Sequence, residues 1–255
     1  MNILLIARRD LRSYFISPIA YVLMAGFSFI LGYMFFSIFN YYVASIMQAA
    51  QSMQGPRSMN VSENLIRPFF GNMNVVFLLM MPAITMRLFA EERRNNTIEL
   101  LFTAPVRWYE IILGKFLSAM SFSAILLALT IPCLLILSFS TPVDWAVIGM
   151  CYLGTFCMLG VYVAFGMWCS SVTENQIVAF TLNFAIILFL WIIKWATTNV
   201  SPAVADFVGY LSIVDHFEDF SRGVFNTKDL VFYLSAMFLG CFLSLKSLES
   251  FSWRS

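Results

Sequence analysis

The chain has 255 residues, of which 60% are hydrophobic and only 11% are charged, with a mean hydropathy of +0.82 and a net charge of +1. A soluble domain carries roughly 25% charged residues, so one soluble core cannot hide this much apolar surface, and a polytopic membrane protein is expected. The net charge of +1 says nothing about nucleic acid, and no basic run supports a nucleic-acid partner.

Residues 1–18 come first. On a helical wheel Leu4, Ala7, Leu11, Tyr14 and Phe15 share one face, with Arg8 beside it and Arg9 and Arg12 further round. The apolar patch at residues 3–7 is too short for a secretory signal, and charge follows it rather than precedes it. The pattern is that of an amphipathic helix lying in the membrane interface; a plain flank of the first span is the alternative.

Span one is expected over residues 19–43, with Phe35, Phe36, Phe39, Tyr41 and Tyr42 crowding its far end as an interfacial belt. A polar loop over residues 44–72 follows. Span two is predicted over residues 73–89 and contains Pro82, which either kinks it or is accommodated by neighbours. Span three covers residues 109–139 with Pro132 inside it, span four 145–169, span five 176–197 and span six 230–245. The fold class is therefore all-α with six transmembrane helices.

Fifteen Lys and Arg residues orient the chain. With both termini cytoplasmic, ten lie on the inner side (Arg8, Arg9, Arg12, Arg87, Arg93, Arg94, Arg107, Lys115, Lys246, Arg254) and five on the outer side (Arg57, Arg67, Lys194, Arg222, Lys228). The excess marks the inner face. Lys115 can reach the cytoplasmic interface, and Lys194 either snorkels outward or lines a path. No intramembrane Asp, Glu or His series could relay protons. Gly149, Gly154, Gly160, Ala164 and Gly166 in span four allow close helix approach, within the chain or in a dimer seam. The five cysteines sit in apolar segments without CxxC spacing, so neither a disulfide framework nor a zinc site is expected.

On the outer side, a segment over about residues 200–225 carries short helices that dip into or lie on the membrane. Asp215 is placed as N-cap with Glu218 three residues on. Phe217, Phe220 and Val224 share a face, and Gly223 ends the turn. His216, the only histidine, reads as structural rather than metal-binding. Asp215, His216, Phe217, Glu218 and Phe220 are the candidates for an outer gate or docking surface. No GxxxxGK[ST], HExxH or GxSxG motif occurs, so this chain is expected to bind no cofactor and to have no hydrolytic activity of its own.

The stretch between spans two and three is the most charged in the chain. Span two runs on as helix through Glu91 and Glu92 until Asn95 and Asn96 break it. Asn96-Thr97-Ile98-Glu99 has capping-box spacing, and Ile98, Leu101, Phe102 and Pro105 then recur at i, i+3, i+4 and i+7. That makes one apolar face about two turns long, too short to be stable alone. It needs a partner's groove or the bilayer surface.

The stretch LFAEERRNNTIELLFTAPV (88–106) resembles the connection between spans two and three of ABC-2 type transporter permeases, in particular the gliding-motility and copper-enzyme-maturation branch. The likeness extends over the N-terminal helix, the six spans and the outer HFEDFSRGV followed by Asp229-Leu230. The family's Gly-Thr after the paired glutamates is here Asn96-Thr97, whose Asn supplies similar backbone geometry. The resemblance implies a type V exporter-like architecture, with residues 19–255 forming the transmembrane domain and a coupling helix at about residues 97–105. Glu91, Glu92, Thr97, Ile98, Glu99, Leu101, Phe102 and Pro105 would meet a separate ABC ATPase subunit, which binds ATP and Mg. It also implies a second permease chain, identical or different, in a bacterial cytoplasmic (inner) membrane, with room for a periplasmic auxiliary protein. The alternative is an ATPase-driven subunit that passes force or a signal to outer partners without moving solute.

Overall fold

The computed structural model describes residues 2–51, 60–95, 107–196 and 208–252, and the statements below concern these. They form ten α-helices and one π turn, with no strand among them. Helix α1 is Asn2–Ile16, α2 is Pro18–Gln51, α3 is Arg67–Thr85, α4 is Arg87–Arg94 and α5 is Trp108–Ala128. Helix α6 is Ile131–Ser140, α7 is Trp145–Val172, α8 is Gln176–Ala196, α9 is Ile213–Ser221 and α10 is Thr227–Ser252. Six stretches are long and apolar enough to cross a membrane: Pro18–Gln48, Ser62–Arg94, Trp108–Ser140, Trp145–Val172, Gln176–Ile193 and Thr227–Ser250.

Several boundaries lie further out than apolarity alone suggested. Much of the expected loop at 44–72 is helix: α2 continues to Gln51, and a π turn at Ser62–Ile66 leads directly into α3. The reason is a stripe that the polar Ser62, Glu63 and Asn64 conceal. Leu65, Ile66, Phe69, Phe70 and Met73 recur at helical spacing and are fully buried. Span six likewise runs from Thr227 to Ser252 rather than stopping near residue 245.

Span three is two helices. Pro132 has no N–H and crowds the carbonyl four residues before it, so α5 ends at Ala128 and α6 restarts with the proline in its first turn. Thr130 fills the gap, its hydroxyl donating to Leu127 O at 2.7 Å and lying 2.7 Å from the Tyr152 hydroxyl. In the turn after α6, Asp144 caps α7 by accepting from the Ala146 N–H at 2.9 Å.

The hub is α7, and its small residues decide who touches it. Apolar burial drives little inside a bilayer, where close packing governs helix association instead. Gly154 receives Phe217 and Phe220 of α9, Gly160 receives Met237 of α10, and Gly166 receives Thr85 of α3 and Asn183 of α8. Gly240 of α10 returns the fit by lying against Ala164. These positions are thus spent within the chain, while Gly149 meets nothing within 4 Å. Large apolar side chains of α2 (Val22, Phe29, Tyr33), α8 (Ile177, Phe189) and α10 (Phe238) point outward, toward lipid or a second chain.

A Cβ added at Gly240 would fall 2.8 Å from both the Cβ and the backbone carbonyl carbon of Ala164, and backbone cannot step aside. Gly240→Val should therefore destabilise the bundle by about 1–3 kcal/mol, whereas Gly149→Ala should be neutral. Thermal unfolding of the two variants in detergent checks the contrast.

Candidate functional site

Helix α4 continues span two beyond the bend at Met86. Leu88, Phe89, Ala90 and Arg93 form its buried side, while Glu91 and Arg94 face outward. Arg93 and Arg94 in the last turn suit the negative end of the helix dipole. Asn95 closes the helix, its N–H donating to Glu91 O at 3.1 Å, which is where the break was expected.

One flank of α4 is held by a buried lysine. Lys115 does not reach out to water as its position in span three suggested. It turns inward, with its side chain 4% exposed, and donates to Leu88 O at 2.6 Å and to Glu92 Oε1 at 2.8 Å. Its Nζ also lies 3.4 Å from Asp10 Oδ2 and 5.0 Å from the centre of the Phe89 ring. An ammonium has three protons, and this one donates to two acceptors with a second carboxylate, Asp10, at ion-pair distance. That is the condition under which a buried charge is tolerated.

The pairs close into a ring. Arg9 meets Asp10 at 2.9 Å and Glu92 at 3.5 Å, while Lys115 meets both carboxylates from the other side. Charges alternate around it, and the net charge of the four groups is zero. The ring joins α1, α4 and α5. It borders a cavity of about 290 Å³ that Tyr14, Arg87 and Glu91 also line. Tyr14 stacks on Phe122 at 5.1 Å and carries the Arg87 guanidinium 4.2 Å above its ring. Burial pushes the Tyr14 hydroxyl far above its ordinary pKa, against the opposing pull of Arg87, so it stays a neutral donor, to Ile84 O at 3.4 Å.

The α1 helix also differs from the wheel reading. Its protein-facing side is Ile6, Asp10 and Tyr14, which meet Gly114, Lys115 and Phe122 in that order along α5. The two helices therefore lie lengthwise beside each other. Leu4, placed on the apolar face, is 70% exposed.

The other flank of α4 is held by the end of span four. The Ser170 hydroxyl accepts from Phe89 N–H and Ala90 N–H, both at 2.9 Å, and donates to Met86 O at 2.8 Å. In an unbroken helix Ala90 N–H would donate to Met86 O directly. A hydroxyl inserted into the ladder is an identified cause of helix bending, and it separates α3 from α4 here. Two residues on, Arg93 donates to Ser171 O at 2.6 Å and lies 3.5 Å from Glu174 Oε1.

The paired glutamates thus part company: Glu92 belongs to the ring, and Glu91 stands at the exposed rim of the cavity. Thr97, Ile98, Glu99, Leu101, Phe102 and Pro105 lie outside the described residues. The chain resumes at Arg107, whose N–H donates to Glu110 Oε2 at 3.1 Å as α5 begins. Sequence reasoning missed Asp10, Arg93, Ser170, Ser171 and Glu174 as members of this junction. One signal was available, since Asp10 is the only acidic residue before Glu63 and lies on the same side as Lys115.

The outer candidates do not form one exposed surface. Ser212, not Asp215, caps α9, its hydroxyl accepting from Asp215 N–H at 3.3 Å. A serine one turn earlier has the same capping chemistry, which places Asp215 inside the first turn. His216 is buried between Asp229 Oδ1, 2.6 Å from Nδ1, and Tyr210 O, 2.9 Å from Nε2, and it stacks on Phe232 at 3.9 Å. Phe217 and Phe220 fill the space at Gly154. Glu218 holds Arg222 at 2.5 Å and lies 3.7 Å from Arg67, which donates to Ser221 Oγ at 3.3 Å. Gly223 ends the helix with φ +78°. Val224 lies beyond it and is exposed rather than sharing the phenylalanine face. Among the described residues no group of three His, Cys, Asp or Glu is placed to hold a metal ion.

No curated protein matches the chain in a direct comparison. Residues 4–245 match the family model described as ABC-2 family transporter protein. Six apolar spans, the absence of a phosphate loop and a match over nearly the whole length agree, and the chain belongs to that family as a multi-pass membrane permease of an ABC system.

Proposed function

We propose that the chain is the membrane subunit of an exporter driven by separate ATPase subunits, with α4 as the lever that carries their movement into the bundle. The supporting observation is the double attachment of α4. Lys115 and Glu92 tie it to α1 and α5, and Ser170 and Arg93 tie it to α7. A force applied just beyond Asn95 would reach three other helices through short, mostly buried bonds. Residues 97–105 would dock in a groove of the ATPase by Ile98, Leu101, Phe102 and Pro105, with Asn96 and Glu99 as the capping box, Thr97 in the first turn and Glu91 at the rim. ATP and Mg would belong to that partner.

Two permease chains, alike or different, would enclose the path. The Lys and Arg bias favours cytoplasmic termini in a bacterial inner membrane, and the connection and outer helix favour the gliding-motility and copper-enzyme-maturation branch.

The test removes bulk and charge at the contact: Glu91→Gln, Leu101→Ala and Phe102→Ala together. ATPase subunits should no longer co-purify, and outward flux in reconstituted vesicles should fall to background while the permease stays folded. Co-purification and coupled flux at wild-type levels would reject the reading.

A further inference from the structure

Helix α1 has a second face that the bundle does not use. At about 100° per residue, Ile6, Asp10 and Tyr14 point to α5, and Leu5, Arg8, Arg12 and Ile16 share an arc on the far side. Leu5 is 58% exposed and Ile16 75%. Arg8 and Arg12 stand one turn apart between them, and among the described residues neither has a carboxylate within ion-pair distance. Arg9, by contrast, is committed to Asp10 and Glu92. The acidic residue of α1 is turned inward, so the outer arc is purely cationic and apolar.

The chain that follows sets the level of this arc. Only Ser17 separates α1 from α2, and the outward side chains resume at once with Ile19 at 58% and Val22 at 70% exposure. Arg8 and Arg12 therefore stand just before the start of span one's outward apolar surface. A guanidinium at that level faces the phosphate layer of a leaflet, with Ile16, Ile19 and Val22 on the side of the acyl chains. Basic residues beside apolar ones on an interfacial helix favour anionic lipid.

We infer that Arg8 and Arg12 form a binding site for the phosphate headgroups of anionic phospholipids. An acidic protein surface would satisfy the arginines, but it would leave Ile16 and the adjoining Ile19 and Val22 without the apolar contact that a lipid supplies. Because Arg9 and Asp10 lie between the two arginines, an occupied headgroup site steadies the helix that carries half of the Arg9–Asp10–Lys115–Glu92 ring.

The experiment titrates the detergent-purified permease with phosphatidylglycerol or phosphatidylethanolamine and counts bound lipids by native mass spectrometry. Wild type should retain phosphatidylglycerol preferentially, with no competition from inorganic phosphate. R8Q/R12Q should weaken that retention about tenfold or more and leave phosphatidylethanolamine unchanged. R8K/R12K, which keeps the charge, should bind as wild type and so control for folding. Equal retention of the two lipids by wild type, or undiminished phosphatidylglycerol binding by R8Q/R12Q, would overturn the assignment. Loss of the ATPase subunits from R8Q/R12Q with lipid binding intact would overturn it in favour of a protein partner.

Discussion

Lys115→Met should cost the bundle about 3 kcal/mol and uncouple α4 from its neighbours. Removing one partner of a buried ion pair is much worse than removing both, because the remaining charges are stranded. Here the ammonium separates two carboxylates. Without it the cation that Asp10 and Glu92 share is Arg9, which is more than half exposed and screened by water. Leu88 O loses its bond to the ammonium as well.

One further variant separates charge from packing. Adding Asp10→Asn and Glu92→Gln to Lys115→Met removes the stranded charges, so most of the stability should return. The link from α4 to α5 stays cut, so ATPase-driven flux should not return with it. Thermal unfolding and vesicle flux, measured on the same three preparations, make the test. A Lys115→Met protein as stable as wild type would mean that the ring contributes nothing.

The contrast between Lys115 and the spans shows what was legible in the sequence. Six apolar runs, the Asp144 turn and the Gly223 stop are local patterns, and each could be read from its own residues. The ring is not local. Arg9 and Asp10, Glu92 and Lys115 come from three segments, and nothing in span three alone tells its lysine to turn inward. Ser170 is harder still. A serine near the end of an apolar helix looks like a neutral interfacial residue until the neighbouring helix presents two amide N–H groups to it. The opening of span two was missed for another reason, since three polar residues in the π turn outweighed the buried stripe that begins beside them. Ser212 and Asp215 were both competent caps, and only the packing of Phe217 and Phe220 against Gly154 sets where α9 starts. The face formed by Ile98, Leu101, Phe102 and Pro105 rests on its spacing and on the family to which the chain belongs.

Ser170→Ala should expose the bend at Met86 as a built element rather than a consequence of Pro82. Pro82 leaves Leu78 O without its usual donor, but Met86 N–H still donates to Pro82 O at 2.9 Å, so the helix survives the proline. The ladder opens one turn later, where the Ser170 hydroxyl stands between Ala90 N–H and Met86 O. Deleting it leaves two buried amide donors and one carbonyl unpaired, at about 2 kcal/mol. They can recover only if α4 swings back into line with α3, so that Phe89 and Ala90 again donate within the helix. Lys115 on Leu88 O and Arg93 on Ser171 O oppose that swing. The expected result is therefore faster hydrogen exchange at residues 86–90, with exchange in α7 and α10 unchanged, and a lower yield of transport per ATP hydrolysed. Ser170→Thr, which keeps the hydroxyl, should restore both. Should Ser170→Ala leave the protection of Phe89 and Ala90 intact, α3 and α4 would be one continuous helix. The coupling segment would then be driven directly by span two, with no role for span four at the bend.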